Sequence, residues 1–298
     1  MSNRLLLPYL FLIFSSQVFA GVWNRQPGSI YLKLSTSYIS TSNEFNHLGQ
    51  ERSLFFPLKD TYPDASFTDR YTSIYFEYGL HPKLTVVSQL AFKSMTAIRK
   101  EISGGGLIQN NVESQSFGFS DLDLAIKYGL HSSRLTFAVE SAIKLPLNYE
   151  NDPTIDAPPL GTGEVDFTEK LLIGKGFHPG YFSAGIGYRF RGGNRFNDQI
   201  IWDAESGFTL GKSFLKIFVE GTQSTKTPPD IYGSRRVSTV GGALPSSLTG
   251  DQDIFKIAPS LTYKISPDMG ISFEVIHILA GKNTISGTSF AVGLAMER

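Results

Sequence analysis

The sequence predicts an all-β fold: an up-and-down antiparallel transmembrane β-barrel of about 12 strands. Three observations predict it. Side-chain polarity alternates with period two through nearly the whole chain. The connections alternate between short and long. A leader of the export type stands in front.

Arg4 gives residues 1–20 a positive start, and Leu5 to Phe14 form a short apolar core. Ser15-Ser16-Gln17-Val18-Phe19-Ala20 follows, with Val18 and Ala20 at the −3 and −1 positions of a cut. This is the pattern of a cleavable secretory signal peptide. The apolar core is far short of the ~20 residues that a spanning helix needs. The expected division is therefore a signal peptide over 1–20 and a barrel over 21–298.

Of the chain's 27 basic residues, 26 remain against 27 acidic ones once Arg4 is gone. Such a balance gives no field to attract nucleic acid. Cysteine is absent, so an exported chain here has neither disulfides nor thiolate chemistry. No later apolar run is long enough for a transmembrane helix. A membrane-spanning form must then be a closed barrel, because lipid offers no partner to an open sheet edge.

Alternation marks strands near 28–40, 69–81, 83–99, 115–130, 134–147, 164–177, 181–192, 199–211, 214–225, 252–265, 269–280 and 287–297. The short connections centre on His81-Pro82, His131-Ser132-Ser133, His178-Pro179-Gly180, Gly211-Lys212-Ser213 and Ser266-Pro267-Asp268. The longer ones are 41–68, 100–114, 148–163, 193–198, 226–251 and 281–286. Some carry loop chemistry, as in Asp156-Ala157-Pro158-Pro159 and Lys226-Thr227-Pro228-Pro229-Asp230. Short periplasmic turns that alternate with longer extracellular loops characterise bacterial outer-membrane barrels. An even strand number returns both termini to the periplasmic side.

Each strand has one apolar face. Leu135, Phe137, Val139, Ile143 and Leu145 alternate with Thr136, Ala138, Glu140, Ala142 and Lys144, with Ser141 the exception. Phe182, Ala184, Ile186, Tyr188 and Phe190 alternate with Ser183, Gly185, Gly187, Arg189 and Arg191. Alternation alone fits a soluble barrel as well. The leader, the loop asymmetry and strands long enough to cross a bilayer turn the apolar face toward lipid. Tyr38, Tyr78, Tyr128, Tyr188 and Tyr263 sit near strand ends, where an aromatic girdle is expected, although tyrosine is also an ordinary strand residue. Glu169 breaks the pattern by sharing parity with Phe167, Leu171 and Ile173.

The opposite parity carries charge of both signs. The candidate lumen-lining residues are Glu77, Lys93, Asp121, Asp123, Lys127, Glu140, Lys144, Arg189, Arg191, Asp203, Glu205, Glu220, Lys256 and Glu274, with Lys33, Lys216 and Lys264 on the same face. Arg189 and Arg191 stand one strand from Asp203 and Glu205, and Lys127 and Asp123 one strand from Glu140 and Lys144. Cross-strand pairs of opposite charge are expected among them. A closed lattice of ion pairs and a water-filled path predict the same residues, and the sequence leaves both open.

Enzyme chemistry finds little support. Of the five histidines, His81, His131 and His178 lie in predicted turns after similar Gly-Leu or Gly-Phe steps, and His47 lies in a loop. His277, near an extracellular strand end, is placed like a surface hydrolase's base, with Asp251 or Asp253 as an acid. It is followed by Ile278-Leu279-Ala280 rather than by a phospholipase pattern. Gly104-Gly105-Gly106 lacks the context of a phosphate loop, and Arg235-Arg236 fits a solvated loop pair. No catalytic residue, metal spacing or cofactor motif is assigned.

The stretch Phe117-Gly118-Phe119-Ser120-Asp121-Leu122-Asp123-Leu124-Ala125-Ile126-Lys127-Tyr128 resembles a segment of the outer-membrane transporters of the MetA-pathway of phenol degradation family. The hairpin steps Tyr78-Gly79-Leu80-His81 and Tyr128-Gly129-Leu130-His131 are similar too. The resemblance implies an outer-membrane barrel that takes up small, often hydrophobic or aromatic, compounds. It brings no catalytic residues. Many such barrels end in Phe or Trp, whereas this chain ends Leu294-Ala295-Met296-Glu297-Arg298.

The expectation is thus a channel in the outer membrane of a Gram-negative cell. Its partners would be lipid, small-molecule solutes and, during biogenesis, the barrel assembly machinery. A plugged surface or structural barrel is the alternative, and a hydrolase built on His277 the third.

Overall fold

The computed structural model describes residues 21–54, 65–103, 108–130, 135–149, 158–193, 196–227 and 251–298. The strands are β1 (Ile30–Thr41), β2 (Asn43–Phe45), β3 (Glu51–Ser53), β4 (Ser66–His81), β5 (Leu84–Ser103), β6 (Ile108–Leu130), β7 (Thr136–Pro146) and β8 (Asp166–Phe177). They continue as β9 (Gly180–Arg191), β10 (Gln199–Leu210), β11 (Ser213–Ser224), β12 (Asp253–Ser266), β13 (Met269–Lys282), β14 (Thr284–Ser286) and β15 (Thr288–Glu297). Residues 1–20, His131, Gly104-Gly105-Gly106, Asp156-Ala157, Pro228-Pro229-Asp230 and Arg235-Arg236 lie outside the described residues.

Twelve strands close into an antiparallel barrel, in the order β1-β15-β13-β12-β11-β10-β9-β8-β7-β6-β5-β4. Neighbours in space are neighbours in sequence, apart from the short strands β2, β3 and β14. Closure joins β1 to β15 from Tyr31↔Glu297 to Tyr38↔Phe290. Ile30 and Arg298 exchange backbone hydrogen bonds of 2.7 and 2.9 Å at the seam. No edge is left to be desolvated in lipid, where each unpaired group costs several kcal/mol.

Burial is inverted relative to a soluble barrel. Leu34, Ile74, Phe92, Leu171, Ile186, Phe208, Ile217, Leu261, Phe273 and Val292 are exposed on the outer wall. Buried positions between them are small or polar, such as Ser73, Ser183, Ser272, Ala291 and Ala295. Tyr38, Tyr78, Tyr128, Tyr188 and Tyr263 share the outward parity. Tyr31, Tyr71, Tyr75 and Tyr181 take the inward one. Glu169 also faces outward. Its register partner on β7 is Ser141, whose Oγ donates to Glu169 Oε2 at 2.9 Å. The two polar exceptions on neighbouring strands thus satisfy each other.

Three connections differ from expectation. Residues 100–114 were expected to be loop, but the β5–β6 ladder runs on from Arg99↔Val112 to Ser103↔Ile108. A hairpin that extends past the bilayer needs no apolar alternation, so polarity hid its length. Segments 41–68 and 281–286 contain β2, β3 and β14, which form a small sheet in the order β14-β2-β3. Glu44 pairs with Arg52 across it at 3.0 Å.

The β5–β6 register slips between Leu90↔Leu122 and Phe92↔Phe119. Ser120 and Asp121 therefore both project inward, as a bulge allows. Ser120 Oγ donates to Leu160 O at 2.6 Å, and Tyr149 donates to Asp121 Oδ1 at 2.5 Å. Gly118 (φ +152°) passes close under Leu160, where a Cβ would meet Leu160 Cδ1 at 3.1 Å. The bulge thus pins the connection after β7 over the mouth. There Leu54, Phe67, Met95 and Leu160 form a buried apolar cluster.

Candidate functional site

The site is the lumen, and its floor is the N-terminal segment. Residues 21–28 do not join β1. They cross the inside of the barrel at the end of the short turns. Three inward glycines make the track: a Cβ on Gly79, Gly129 or Gly174 would collide with Gln26, Asn24 or Val22 respectively. Glycine permits this close approach of two backbones. Val22 is fully buried with Ala138 and Leu172, and Trp23 packs against them. Trp23 also meets the Tyr181 ring edge-on, with centroids 5.2 Å apart.

Arg25 is the polar anchor. Its Nε lies 2.6 Å from Glu77 Oε2 on β4, and its Nη1 lies 2.6 Å from Glu297 Oε1 on β15. Its backbone N–H donates to Thr85 Oγ1 on β5 at 2.9 Å. Glu77 is fully buried and also accepts from the Tyr75 hydroxyl at 2.6 Å. Lys127 stands 3.9 Å from Glu77 and donates to the Gly21 carbonyl at 2.7 Å. A guanidinium with two carboxylates, seated on the two strands that flank β1, is a strong charge-assisted anchor.

Above this floor the two sides of the wall differ. From β6 to β10 the charges pair with one another. Lys144 lies 2.8 Å from Asp166 and 3.6 Å from Asp121, and Arg191 lies 3.1 Å from Asp166. Lys170 pairs with Asp203. Arg189 donates to Gln199 at 3.1 Å. Farther round, Lys256 pairs with Glu220 at 2.6 Å, and Lys216 lies 3.6 Å from Glu205.

These pairs are not the ones sequence adjacency suggested. Arg189 and Arg191 do not bind Asp203 and Glu205. Asp203 is opposite Gly185 on β9, and Lys170 on β8 reaches it across that glycine. A Cβ on Gly185 would collide with the Lys170 side chain. Arg191 instead turns to Asp166, its direct register partner. Lys127 opposes Glu140 and Asp123 opposes Lys144 in register, yet the shorter contacts of the two lysines go elsewhere. The lumen is narrow enough for ion pairs to skip a strand, which register alone does not reveal. Lys93 lies over the Tyr71 ring, 5.9 Å from its centroid.

The other side, formed by β11 to β13, β15, β1, β4 and β5, lines a partly open chamber of about 270 Å³. Hydroxyls dominate its polar lining: Tyr31, Ser35, Ser73, Tyr75, Ser260, Thr262 and Ser272. Lys33 and Lys216 face it with Glu274 as the carboxylate, and Phe214 and Ala295 add apolar surface. The sequence reading named Glu274 but not the hydroxyls, because small polar residues on a lumen face carry no distinguishing signal. It also missed Trp23, Arg25, Thr85 and Tyr181. The inward glycines at one barrel end were the available clue to that segment.

The expected acids do not hydrogen-bond His277 among the described contacts. The imidazole projects outward, and its Nδ1 lies 2.9 Å from Thr288 Oγ1. Asp251 accepts from Asn197, while Asp253 accepts from the Ser224 amide and lies 3.5 Å from Lys282. Both expected acids are engaged away from the imidazole.

A closed barrel of 12 strands with an apolar exterior, a polar interior and an N-terminal floor defines the outer-membrane channel class of fold. The sequence matches the model of the family described as "Putative MetA-pathway of phenol degradation" over residues 84–294, and the chain belongs to that family. No curated protein matches the sequence. Among solved structures, the COG4313 outer membrane channel from Pseudomonas putida F1 is similar with a TM-score of 0.65 and 13% identity. The similarity covers 95% of this chain and 100% of that one, and it establishes the fold. The KdgM porin in complex with disordered oligogalacturonate is more distant, with a TM-score of 0.48 and 8% identity over 90% of this chain and 98% of that one.

Proposed function

We propose that the protein is a channel for small solutes, and that the chamber beside β1, β12 and β13 is where the solute rests. The observation that carries this is the chamber itself. Packed protein interiors leave few voids larger than a water molecule, and an apolar cavity of about 150 Å³ already holds benzene. A chamber of about 270 Å³ therefore has room for one substituted ring. Its hydroxyls and two ammonium groups suit a ring with a hydroxyl or carboxylate substituent. Phe214 and the faces of Tyr31 and Tyr75 suit the ring. Membership of a family named for phenol degradation supports an aromatic solute.

The test is solute flux into liposomes that contain the folded mature barrel, paired with single-channel conductance in a planar bilayer. Uptake of phenol-sized solutes above that of equally sized sugars is expected. Flux equal to that of protein-free liposomes, with silent bilayers, would favour the second reading, a sealed structural barrel. That reading draws on the ion-paired side and on the floor made by residues 21–28.

A further inference from the structure

Asn24 Oδ1, Arg25 Nη2 and Glu205 Oε1 are buried polar atoms of the floor that no hydrogen bond satisfies, and Glu205 is the carboxylate among them. Glu205 on β10 is buried (6% exposed), and its Oε1 has no hydrogen-bond partner. Its Oε2 lies 3.6 Å from Lys216, and the Tyr181 hydroxyl interacts with the same carboxylate. Burying a carboxylate is costly unless both oxygens are answered, so Oε1 has capacity for a further donor. The nearest piece of backbone is Gly21. A Cβ built there would meet Glu205 Oε1 at 3.1 Å and the Trp23 ring at 3.3 Å. The Gly21 nitrogen hangs from the same Cα, roughly 1.5 Å away from it. Lys127 fixes the Gly21 carbonyl, and Val22 is fully buried beyond it. Gly21 is therefore held, and held against the orphan oxygen. It is also the residue that follows the Val18-Phe19-Ala20 cut pattern.

We propose that cleavage of the leader between Ala20 and Gly21 creates the missing partner, and that the new α-ammonium of Gly21 binds Glu205 inside the lumen. Water adds across the Ala20–Gly21 amide under a signal peptidase. The acyl carbon takes the hydroxyl and leaves as the Ala20 carboxylate of the leader. The nitrogen takes the proton. At neutral pH a free α-amine, with an ordinary pKa of about 7.7–8.0, is mostly the ammonium. Before cleavage this nitrogen carries one hydrogen and no charge. After it, the group offers three donors and a positive charge to a buried carboxylate. Export processing thereby locks the floor, and glycine leaves room for the ammonium where a side chain would crowd Glu205 and Trp23.

The mature protein extracted from outer membranes is first sequenced from its N-terminus. A start at Gly21 is expected, and a start elsewhere overturns the proposal. The folded barrel is then treated with an amine-acylating ester at neutral pH, and modification of the Gly21 amine is followed by mass spectrometry against the exposed Lys212. In the native protein the Gly21 amine should react at least about tenfold more slowly than in Glu205→Gln, a change equal to one unit in its pKa. Equal rates in two folded barrels would overturn the idea. Should Glu205→Gln fail to fold, a second protein with an extra Ala before Gly21 keeps Glu205 intact. It should show red-shifted Trp23 emission and raised conductance, and native values for both would count against the proposal. The labelling readout does not depend on solute flux, so it stands or falls apart from the channel reading.

Discussion

The two sides of the lumen have the same strand geometry and different interiors. Between β6 and β10, Lys144, Asp166, Arg191, Lys170 and Asp203 interlock, and the space is filled by long side chains that bind each other. Between β11 and β4, serines and small residues face inward, and a chamber remains. On the first side opposite charges reach one another and pair across the wall. The chamber lies where serines and other short side chains dominate the inward face. Lys33 and Lys216 border that space without filling it.

The largest effect that would sharpen this contrast lies beneath both sides. Arg25→Ala leaves the fully buried Glu77 with the neutral Tyr75 hydroxyl and, as a cation, the more distant Lys127. Breaking one partner of a buried pair costs about 3–5 kcal/mol. The floor should detach, and conductance in planar bilayers should rise severalfold. Unchanged conductance in a folded variant would show that ions do not pass where residues 21–28 lie. On the ion-paired side, Gly185→Val would wedge between Lys170 and Asp203. Overpacking of this kind costs about 1–3 kcal/mol, measurable as a shift of the urea unfolding midpoint in micelles. A neutral outcome would mean that the pair rearranges freely.

On the chamber side, Ser260→Phe should fill the space and reduce ring-solute flux by about tenfold, near 1.4 kcal/mol in barrier. Lys170→Met, on the opposite side, should leave that flux within about twofold. Similar losses from both would abolish the distinction between the two sides. The smallest expected effect is on the outer wall. Ser141→Ala removes the donor to Glu169, worth about 0.5–1.5 kcal/mol. Stability in micelles should fall by that amount, and Glu169→Leu in the same background should restore it. Failure of the rescue would show that Glu169 has another essential contact.

Alternation made the barrel legible before any coordinate. Lipid selects one face of every strand, so parity along the chain reports orientation directly. The strand positions, the outward Tyr38, Tyr128 and Tyr263 and the inward charges all follow from it. Glu169 and Ser141 looked like two errors in that pattern. Only the register between β7 and β8 shows that they are one feature. The β5–β6 extension was hidden because alternation is imposed by lipid and lapses beyond it.

The sequence by itself determined the class of fold, the strand count and which side chains face inward, because each depends on local periodicity. It also placed Gly21 after a cleavage pattern. Only the tertiary structure decided which charges meet, that Lys170 reaches Asp203 across Gly185, and that residues 21–28 turn back into the lumen. These depend on the curvature of a closed wall, which brings together side chains two or more strands apart. A one-dimensional pattern contains no information on that distance.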